Sequence, residues 1–335
     1  SMTDVSIHDC SAYNGGGIYF TSYDSRLYSV WANKVENVTI RNNTAANCGG
    51  GMFLSTKVFK KNVQMNNFVI ADNTAERTGG GVYADDRSYE NYLNNVTITG
   101  NTSTKGSGGG IAIIGDYSEL YIGGTISNNY AANGGGIYAG SQSEVTLYDG
   151  TIITGNETAG NGGGIWVRAG KLTLNSGVQI TNNKAAGNGG GMWVYLDGYD
   201  YSYVVECNVS TGSSPIEISG NTAKNGGGIA FRAWYNYNGC HEQVRLKNAH
   251  ISNNTATDMG GGLYLSVDRR RTTLTMTDCI VENNKCAKSS IKIFSEDSGS
   301  DYTNITTVTL TNVEVRNTEA GVNIDSSHTN ARSKF

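Results

Sequence analysis

The sequence predicts an all-β fold: a single-stranded, right-handed parallel β-helix, which is a solenoid of about nine full coils with degenerate terminal coils. Three observations predict it. First, Gly accounts for 45 of the 335 residues and Pro for only 1. Second, triple glycines recur nine times, with starts 26 to 37 residues apart. Third, an aliphatic-x-x-Asn motif ends five to seven residues before eight of the nine triplets. Self-similarity at such a period is typical of repeat folds.

The interior of each repeat selects the β-helix among repeat folds. The unit 134–161 has three short β-favouring stretches separated by Gly, Asn, Asp and Ser, and no ten-residue stretch of helical periodicity. A propeller blade needs about 40 residues and a leucine-rich repeat needs its Leu consensus. Three strands fit one coil, and neighbouring coils stack ~4.8 Å apart. We expect one domain over 1–335, with Ser1 and Met2 as a cloning scar and 285–335 as degenerate C-terminal coils.

Stacked coils place each repeated position on its equivalent in the next coil. The motif Asn would form a column at a turn, where Asn tolerates a left-handed backbone and its amide can bond to the coils above and below. The glycines of each triplet would supply positive φ and close backbone approach. A small residue two places after Asn would fill an interior corner. The predicted Asn column contains Asn43, Asn73, Asn101, Asn129, Asn156, Asn183, Asn221, Asn254 and Asn284, with Cys10 at the equivalent position of the first coil.

An aromatic stripe is predicted on the outside of the strand that follows each triplet. The first and third residues of this strand are mostly aliphatic, so period two places them inside the coil and the second residue outside. The aromatic residues at the second position are Tyr19, Phe53, Tyr83, Tyr138, Trp166, Trp193 and Tyr264, and Ala112 and Ala230 interrupt them. We interpret this stripe as a candidate ligand-binding surface.

Insertions of variable length follow the same strand. They are rich in Tyr, Trp, Asp and Arg, a composition typical of recognition loops. Sugars would suit such a surface because their C–H faces stack on rings while their hydroxyls bond to polar side chains; a host protein would suit it equally. The structural alternative is that the loops fold over the stripe and bury it, with rings stacking between coils. The candidate binding residues in the insertions are Tyr199, Tyr201, Tyr203, Trp234, Tyr235 and Tyr237.

Charge and cysteine content exclude several classes of partner. The formal net charge is −4, which offers no electrostatic footprint for nucleic acid. No run of 18 apolar residues occurs, so direct membrane insertion is not expected. The six Cys match no zinc spacing, and we expect no metal or other cofactor. Cys207 and Cys240 would lie in adjacent coils, where a disulfide and two free thiols are both open.

Enzymatic chemistry has little support in the residue pattern. Glycoside hydrolysis needs paired carboxylates, and lyase chemistry needs an acidic calcium cluster beside Lys or Arg. Asp85 and Asp86 are adjacent in sequence, but a strand would point them to opposite faces. His250 is expected to be an ordinary surface residue, and His241 with Glu242 is the one pair that merits attention. We therefore assign no catalytic residue.

The pairing of GGG-aliphatic with I-x-x-N resembles the repeats of chlamydial polymorphic outer membrane proteins, which pair GGA-aliphatic with F-x-x-N. NGGGIY and TITGNTA-like units also look like the repeats of adhesin-like surface proteins from Gram-positive gut bacteria. The resemblance covers residues 5–325. It implies a secreted or cell-surface bacterial adhesin-type domain within a longer parent chain that carries other domains. A structural stalk, and a polysaccharide lyase or glycoside hydrolase, are the alternatives.

Overall fold

The computed structural model describes residues 1–21, 29–85, 88, 90–115, 118–141, 143–168, 171–196, 206–209, 214–234, 241–268, 271–296, 306–317 and 321–326. Within these ranges the chain forms strands, bends and turns, and no helix. The strands form three sheets, here named A, B and C, of 17, 10 and 11 strands. Within each sheet, every pairing between neighbouring strands is parallel; Met2, for example, pairs with Val35 of the next coil.

Sheet A contains the strands Met2–His8, Ser29–Arg41, Lys57–Ala71, Glu90–Thr99, Glu119–Ser127, Glu144–Leu147, Ile152–Thr154, Lys171–Leu174, Gln179–Thr181, Glu206–Val209, Ile216–Ser219, His241–Lys247, Ala249–Ser252, Arg271–Thr277, Ile280–Glu282, Thr306–Thr311 and Glu314–Arg316. Sheet B contains Ser11–Ala12, Thr44–Ala45, Thr74–Ala75, Thr102–Ser103, Tyr130–Ala131, Glu157–Thr158, Lys184–Ala185, Thr222–Asn225, Thr255–Met259 and Lys285–Cys286. Sheet C contains Ile18–Thr21, Met52–Ser55, Val82–Ala84, Ile111–Ile113, Ile137–Ser141, Ile165–Arg168, Met192–Leu196, Ile229–Trp234, Leu263–Asp268, Ile291–Glu296 and Val322–Ser326.

Each coil passes through the sheets in the order A, B, C and then begins again one coil further along. The coil that starts with Glu119–Ser127, for example, continues through Tyr130–Ala131 and Ile137–Ser141. Each strand pairs with its equivalent in the next coil, as in Ile111 with Ile137 and Ile137 with Ile165. The parallel β-helix predicted from the sequence is therefore confirmed.

One apolar core fills the inside of the coils. Ile137 and Ala139, the first and third residues after a triplet, are fully buried, and so are the equivalent Ile165 and Val167 of the next coil. The inward residues of sheet A meet them across the interior in the same core cluster. Because inward apolar residues recur at the same positions in successive coils, the core is continuous along the axis of the solenoid.

The Asn column is buried and bonded along its whole length. Nδ2 of Asn156 donates to the carbonyl oxygen of Ile126 at 3.0 Å and to Oδ1 of Asn183 at 2.9 Å. Its Oδ1 accepts from the backbone N and from Nδ2 of Asn129 at 3.0 and 2.9 Å. The prediction that amides bond to the coils above and below is confirmed.

The left-handed backbone belongs to the residue before the ladder Asn, so the prediction that the ladder Asn itself adopts it is wrong. Asn128, Gly155 and Asn182 have φ of 55°, 65° and 54°. The chain therefore turns one residue earlier, and the ladder Asn then points its amide into the coil. This explains why Asn, Asp or Gly stands at the preceding position, as in Asp72.

The three glycines of a triplet serve two purposes. Gly162, the first of its triplet, has a φ of 70°, which favours glycine. Gly163, the second glycine, has no positive φ. However, a Cβ at this position would lie 2.4 Å from the carbonyl oxygen of Gly190 in the next coil. The first glycine permits the turn, and the second permits adjacent coils to approach.

The two ends depart from the repeat in different ways. At the first coil the backbone N of Cys10 donates to Oδ1 of Asn43 at 3.0 Å, so Cys10 occupies the predicted column position. Near the other end Ser290 stands where a triplet glycine would be, and its Oγ donates to the carbonyl oxygen of Asn284 at 3.2 Å. Sheet C nevertheless continues from Ile291–Glu296 to Val322–Ser326.

Candidate functional site

The predicted aromatic stripe lies on the outer face of sheet C, and its members are cross-coil partners. Tyr138 pairs with Trp166, and Trp166 with Trp193. The rings of Tyr138 and Trp166 stack with centroids 4.4 Å apart and planes 11° apart. Near the N-terminal end Phe53 stacks on Tyr19 at 4.8 Å and contacts Tyr83 at 4.7 Å. The register of the β-helix thus turns a sequence repeat into a ladder of rings.

Members of this ladder differ widely in exposure. Tyr19 is 46% exposed, whereas Phe53, Trp193 and Tyr264 retain only 8%, 5% and 9%. The other three rings, those of Tyr83, Tyr138 and Trp166, are half-buried. Because stacking covers the ring faces, the ladder presents mainly ring edges to the solvent.

The ladder closes over its interruption at Ala230. Ala230 is fully buried and packs in one cluster with Trp193 and Tyr264, the aromatic residues on either side of it. Trp166 and Tyr195 are packed against the same cluster. The rings therefore form a small external core as well as a surface.

A second outward column runs beside the ladder, two residues further along each strand. Arg168 pairs with Tyr195, and Tyr195 pairs with Arg232. All three side chains are half-buried. The Tyr195 ring lies 6.2 Å from the Trp193 ring at an interplanar angle of 12°. We call Tyr138, Trp166, Arg168, Tyr195 and Arg232 together the aromatic–arginine patch.

The arginines of this patch were missed by the sequence analysis, although a signal existed. The period-two rule that places Trp166 outside also places Arg168 outside, two residues later. The same rule applied to Ala230 places Arg232 outside. Only the register shows that Tyr195 lies between the two arginines.

Most of the predicted loop residues lie outside the described residues. These are Tyr199, Tyr201, Tyr203, Tyr235 and Tyr237. Asp86 and Cys240 lie outside the described residues as well, so the choice between a disulfide and two free thiols stays open. Trp234 is the last residue of its sheet C strand and pairs with Asp268.

A second group of aromatic rings lies on the outer face of sheet A. The rings of Tyr92 and Tyr121 stack at 4.5 Å with planes 9° apart, and Tyr148 lies 6.4 Å from Tyr121. The hydroxyl of Tyr121 donates to Oε2 of Glu119 at 2.5 Å. Burial raises the pKa of the Tyr121 hydroxyl, and the acceptor Glu119 raises it further. Burial also raises the pKa of Tyr148.

Three glutamates follow one another on consecutive coils beside these tyrosines. Glu90 pairs with Glu119, and Glu119 with Glu144, before Lys171 ends the column. Lys57 donates to Glu90 at 2.8 Å on the opposite side. The search for carboxylates adjacent in sequence missed them because their neighbours lie one coil apart. This column can accept hydrogen bonds from hydroxyl or cationic ligands.

Two further observations bear on chemistry. No group of three or more His, Cys, Asp or Glu among the described residues is placed to hold a metal ion. The pKa of Glu76 is lowered by a hydrogen bond from Lys105, and that of Glu282 by Arg316 and then His250. A glutamate that acts as a general acid at neutral pH needs a raised pKa, so the lowered pKa values of Glu76 and Glu282 do not suit that role.

His250 is more than the ordinary surface residue that we expected. Its Nδ1 lies 3.0 Å from Oε2 of Glu217 and its Nε2 lies 2.8 Å from Oε1 of Glu282. Arg316 donates to the other oxygen of Glu282 at 2.6 Å. Each ring nitrogen of His250 therefore has a glutamate oxygen within hydrogen-bonding distance. The result is a chain of polar contacts that links the last coils.

The chain matches the right-handed β-helix region family over residues 1–125 and again over residues 122–334. It therefore belongs to this family, and the right-handed parallel solenoid is confirmed. A search of curated proteins and a search of solved structures each found no match. In the described part of the chain no helix is long and apolar enough to cross a membrane. Since one fold can carry many activities, the role has to be argued from the surface.

Proposed function

We propose that this β-helix is an adhesin-type binding domain, secreted or displayed on a cell surface by a longer bacterial parent protein, and that it recognises a glycan. The observation that carries the proposal is the aromatic–arginine patch. It brings half-exposed rings, tyrosine hydroxyls and guanidinium groups together on one rigid sheet. A surface of this composition offers apolar contact and hydrogen bonding at low cost in conformational entropy.

The rigidity of the support favours recognition. Tyr138, Trp166 and Arg168 belong to strands whose backbones are bonded on both sides, so their side chains are held in place before a ligand arrives. Preorganisation of this kind reduces the entropy lost on binding. The Tyr-rich insertions that follow these strands in the sequence are proposed to add contacts, and a host surface protein is the competing class of ligand.

A structural stalk is the second candidate, and one observation favours it. Phe53, Trp193 and Tyr264 are nearly as buried as core residues, and stacking between coils accounts for that burial without any ligand. On this interpretation the ladder stiffens the rod and other domains carry the recognition.

An array of glycans and host surface proteins separates the two functions. Trp166→Ala is the test variant because its ring is half-buried on the outer face. Tyr130→Ala is the matched control, since Tyr130 is 41% exposed on sheet B, away from the patch. Trp193→Ala is unsuitable because truncating a buried Trp costs about 3–5 kcal/mol.

The proposal predicts binding that Trp166→Ala weakens at least about tenfold, as expected for an aromatic anchor worth more than 1.4 kcal/mol. Tyr130→Ala should bind as the unmodified protein does. Absence of any ligand would support the stalk instead, whereas equal binding by both variants would refute the role of the aromatic–arginine patch even if the domain binds a ligand.

A further inference from the structure

We propose that the ligand of the aromatic–arginine patch is an anionic glycan, whose carboxylate or sulfate groups are held by Arg168 and Arg232 on either side of Tyr195. This inference rests on the proposed function and specifies its ligand class. It is carried by the register of sheet C, by the stacking of the rings and by the distribution of charge over two faces of the solenoid.

The register places the two arginine residues on one column along the solenoid axis. Arg168 pairs with Tyr195 and Tyr195 with Arg232, so the arginines are two coils apart. At ~4.8 Å per coil their Cα atoms are about 10 Å apart. Charged groups on alternate sugars of a chain lying along the axis would meet the two arginines in turn.

The stacking of the rings reduces the ring area that is open to a neutral sugar. A neutral sugar needs an open ring face for its C–H groups, but the facing sides of Tyr138 and Trp166 cover each other at 4.4 Å. Both rings are half-buried, and their edges carry the positive part of the aromatic quadrupole. Ring edges and guanidinium groups therefore favour the same kind of ligand, one that presents oxygen anions.

Local charge differs from that of the whole molecule. The protein has a formal net charge of −4. On the five sheet C strands from Ile137–Ser141 to Leu263–Asp268, the two outward positions that carry the ladder and the column beside it hold Arg168 and Arg232 and no carboxylate. Two arginines on one outward face favour an anionic partner by charge complementarity.

Arginine suits this role chemically. Its planar guanidinium has five N–H donors and binds carboxylate or sulfate-like oxygens in a bidentate manner. Arg168, Tyr195 and Arg232 also interact within the protein. With five N–H donors, one guanidinium can serve an internal acceptor and a ligand at the same time.

The tyrosine stack on sheet A provides an internal contrast. Glu90, Glu119 and Glu144 line that face, and like charges on it would repel an anionic chain. The two aromatic faces of the same solenoid therefore have opposite ligand preferences, and only the sheet C face fits an anionic glycan.

Titration calorimetry with three oligosaccharide probes tests the proposal: oligogalacturonate for carboxylates, sulfated dextran for sulfates, and dextran as the neutral reference. The variants are Arg168→Gln, Arg232→Gln and the double substitution. Arg41→Gln is the matched control, because Arg41 is an exposed arginine on sheet A. Circular dichroism and Tm measurements verify that each variant is folded.

We expect one of the anionic probes to bind and dextran not to bind, and whichever probe binds identifies the anionic group. Each single substitution should raise Kd about tenfold or more, as expected for loss of a hydrogen bond to a charged group. The double substitution should raise Kd about 100-fold, and added salt should weaken binding. Arg41→Gln should leave Kd unchanged.

Equal binding of dextran and the anionic probes would overturn the anionic ligand, while the proposed function would stand if Trp166→Ala weakened that binding. An equal loss in Arg41→Gln would mean that binding is non-specific electrostatics, and it would overturn the role of Arg168 and Arg232. If no probe binds and no glycan on the array binds either, the proposed function and this inference both fail.

Discussion

Substitution of a single ladder asparagine should destabilise the solenoid far more than its small size suggests. Asn156→Ala removes a fully buried amide that donates to Ile126 and Asn183 and accepts two bonds from Asn129. In the variant, Oδ1 of Asn183 can still accept the hydrogen bond from the backbone N of residue 156, which is 3.0 Å long. The variant therefore leaves two donors of Asn129 and the carbonyl oxygen of Ile126 without these partners.

The magnitude follows from these three groups. A buried polar group left without its partner costs ~1–3 kcal/mol. Three of them at the lower end of that range, with a small cavity, give a loss of about 3–5 kcal/mol in the free energy of unfolding. In a stack of coils the loss falls on the interfaces next to residue 156, because repeat proteins are stabilised through nearest neighbours.

Urea denaturation followed by circular dichroism measures the total loss, and amide hydrogen exchange locates it. The matched control is Asn66→Ala, since Asn66 is exposed on the outside of sheet A and its truncation should cost less than about 0.5 kcal/mol. Exchange should accelerate most in the coils that contain Asn129 and Asn183. A loss below 1 kcal/mol, or one no larger than that of the control, would refute the reasoning.

Three further predictions rest on the same structure. Gly163→Ala should destabilise strongly because its Cβ would meet the backbone of the next coil, whereas Gly150→Ala, with a φ of 69° and open space, should cost only about 1 kcal/mol by urea denaturation. Because the pKa of Glu282 is lowered in the folded state, its carboxylate stabilises the fold at pH values above the ordinary carboxyl pKa. As the pH falls below that range, the Tm of Glu282→Gln should therefore decrease less steeply than that of the unmodified protein. Because the pKa of Tyr121 is raised in the folded state, its protonated hydroxyl stabilises the fold at pH values below the ordinary tyrosine pKa. As the pH rises into the alkaline range, the Tm of Tyr121→Phe should therefore decrease less steeply than that of the unmodified protein. A slope unchanged in either variant would contradict its assignment.

The fold was readable from the sequence because its signals repeat. The Gly triplet and the ladder Asn are each recognisable in nine copies even though one position, Cys10, departs from the pattern. The positive φ was predicted at the ladder Asn, for example Asn156, but it belongs to the preceding residue, Gly155. The prediction was one residue too late because Asn and Gly both suit a turn. Only the hydrogen bonds distinguish the turning residue from the bonding one.

The candidate site was harder to predict because it depends on contacts between coils. Period two places Trp166 and Trp193 outside alike, yet Trp193 is 5% exposed because the rings around it close over Ala230. Arg168 and Arg232 are 64 residues apart in the sequence and become neighbours of Tyr195 through the register alone. The insertions vary in length, so sequence spacing does not reveal that register.

A crystal structure of the domain with a bound acidic oligosaccharide tests the central claim most directly. We expect ligand density on sheet C, with an anionic group within hydrogen-bonding distance of Arg168 or Arg232 and the sugar chain along the edges of Tyr138 and Trp166. Density on the tyrosine stack of sheet A, with sheet C bare, would contradict it.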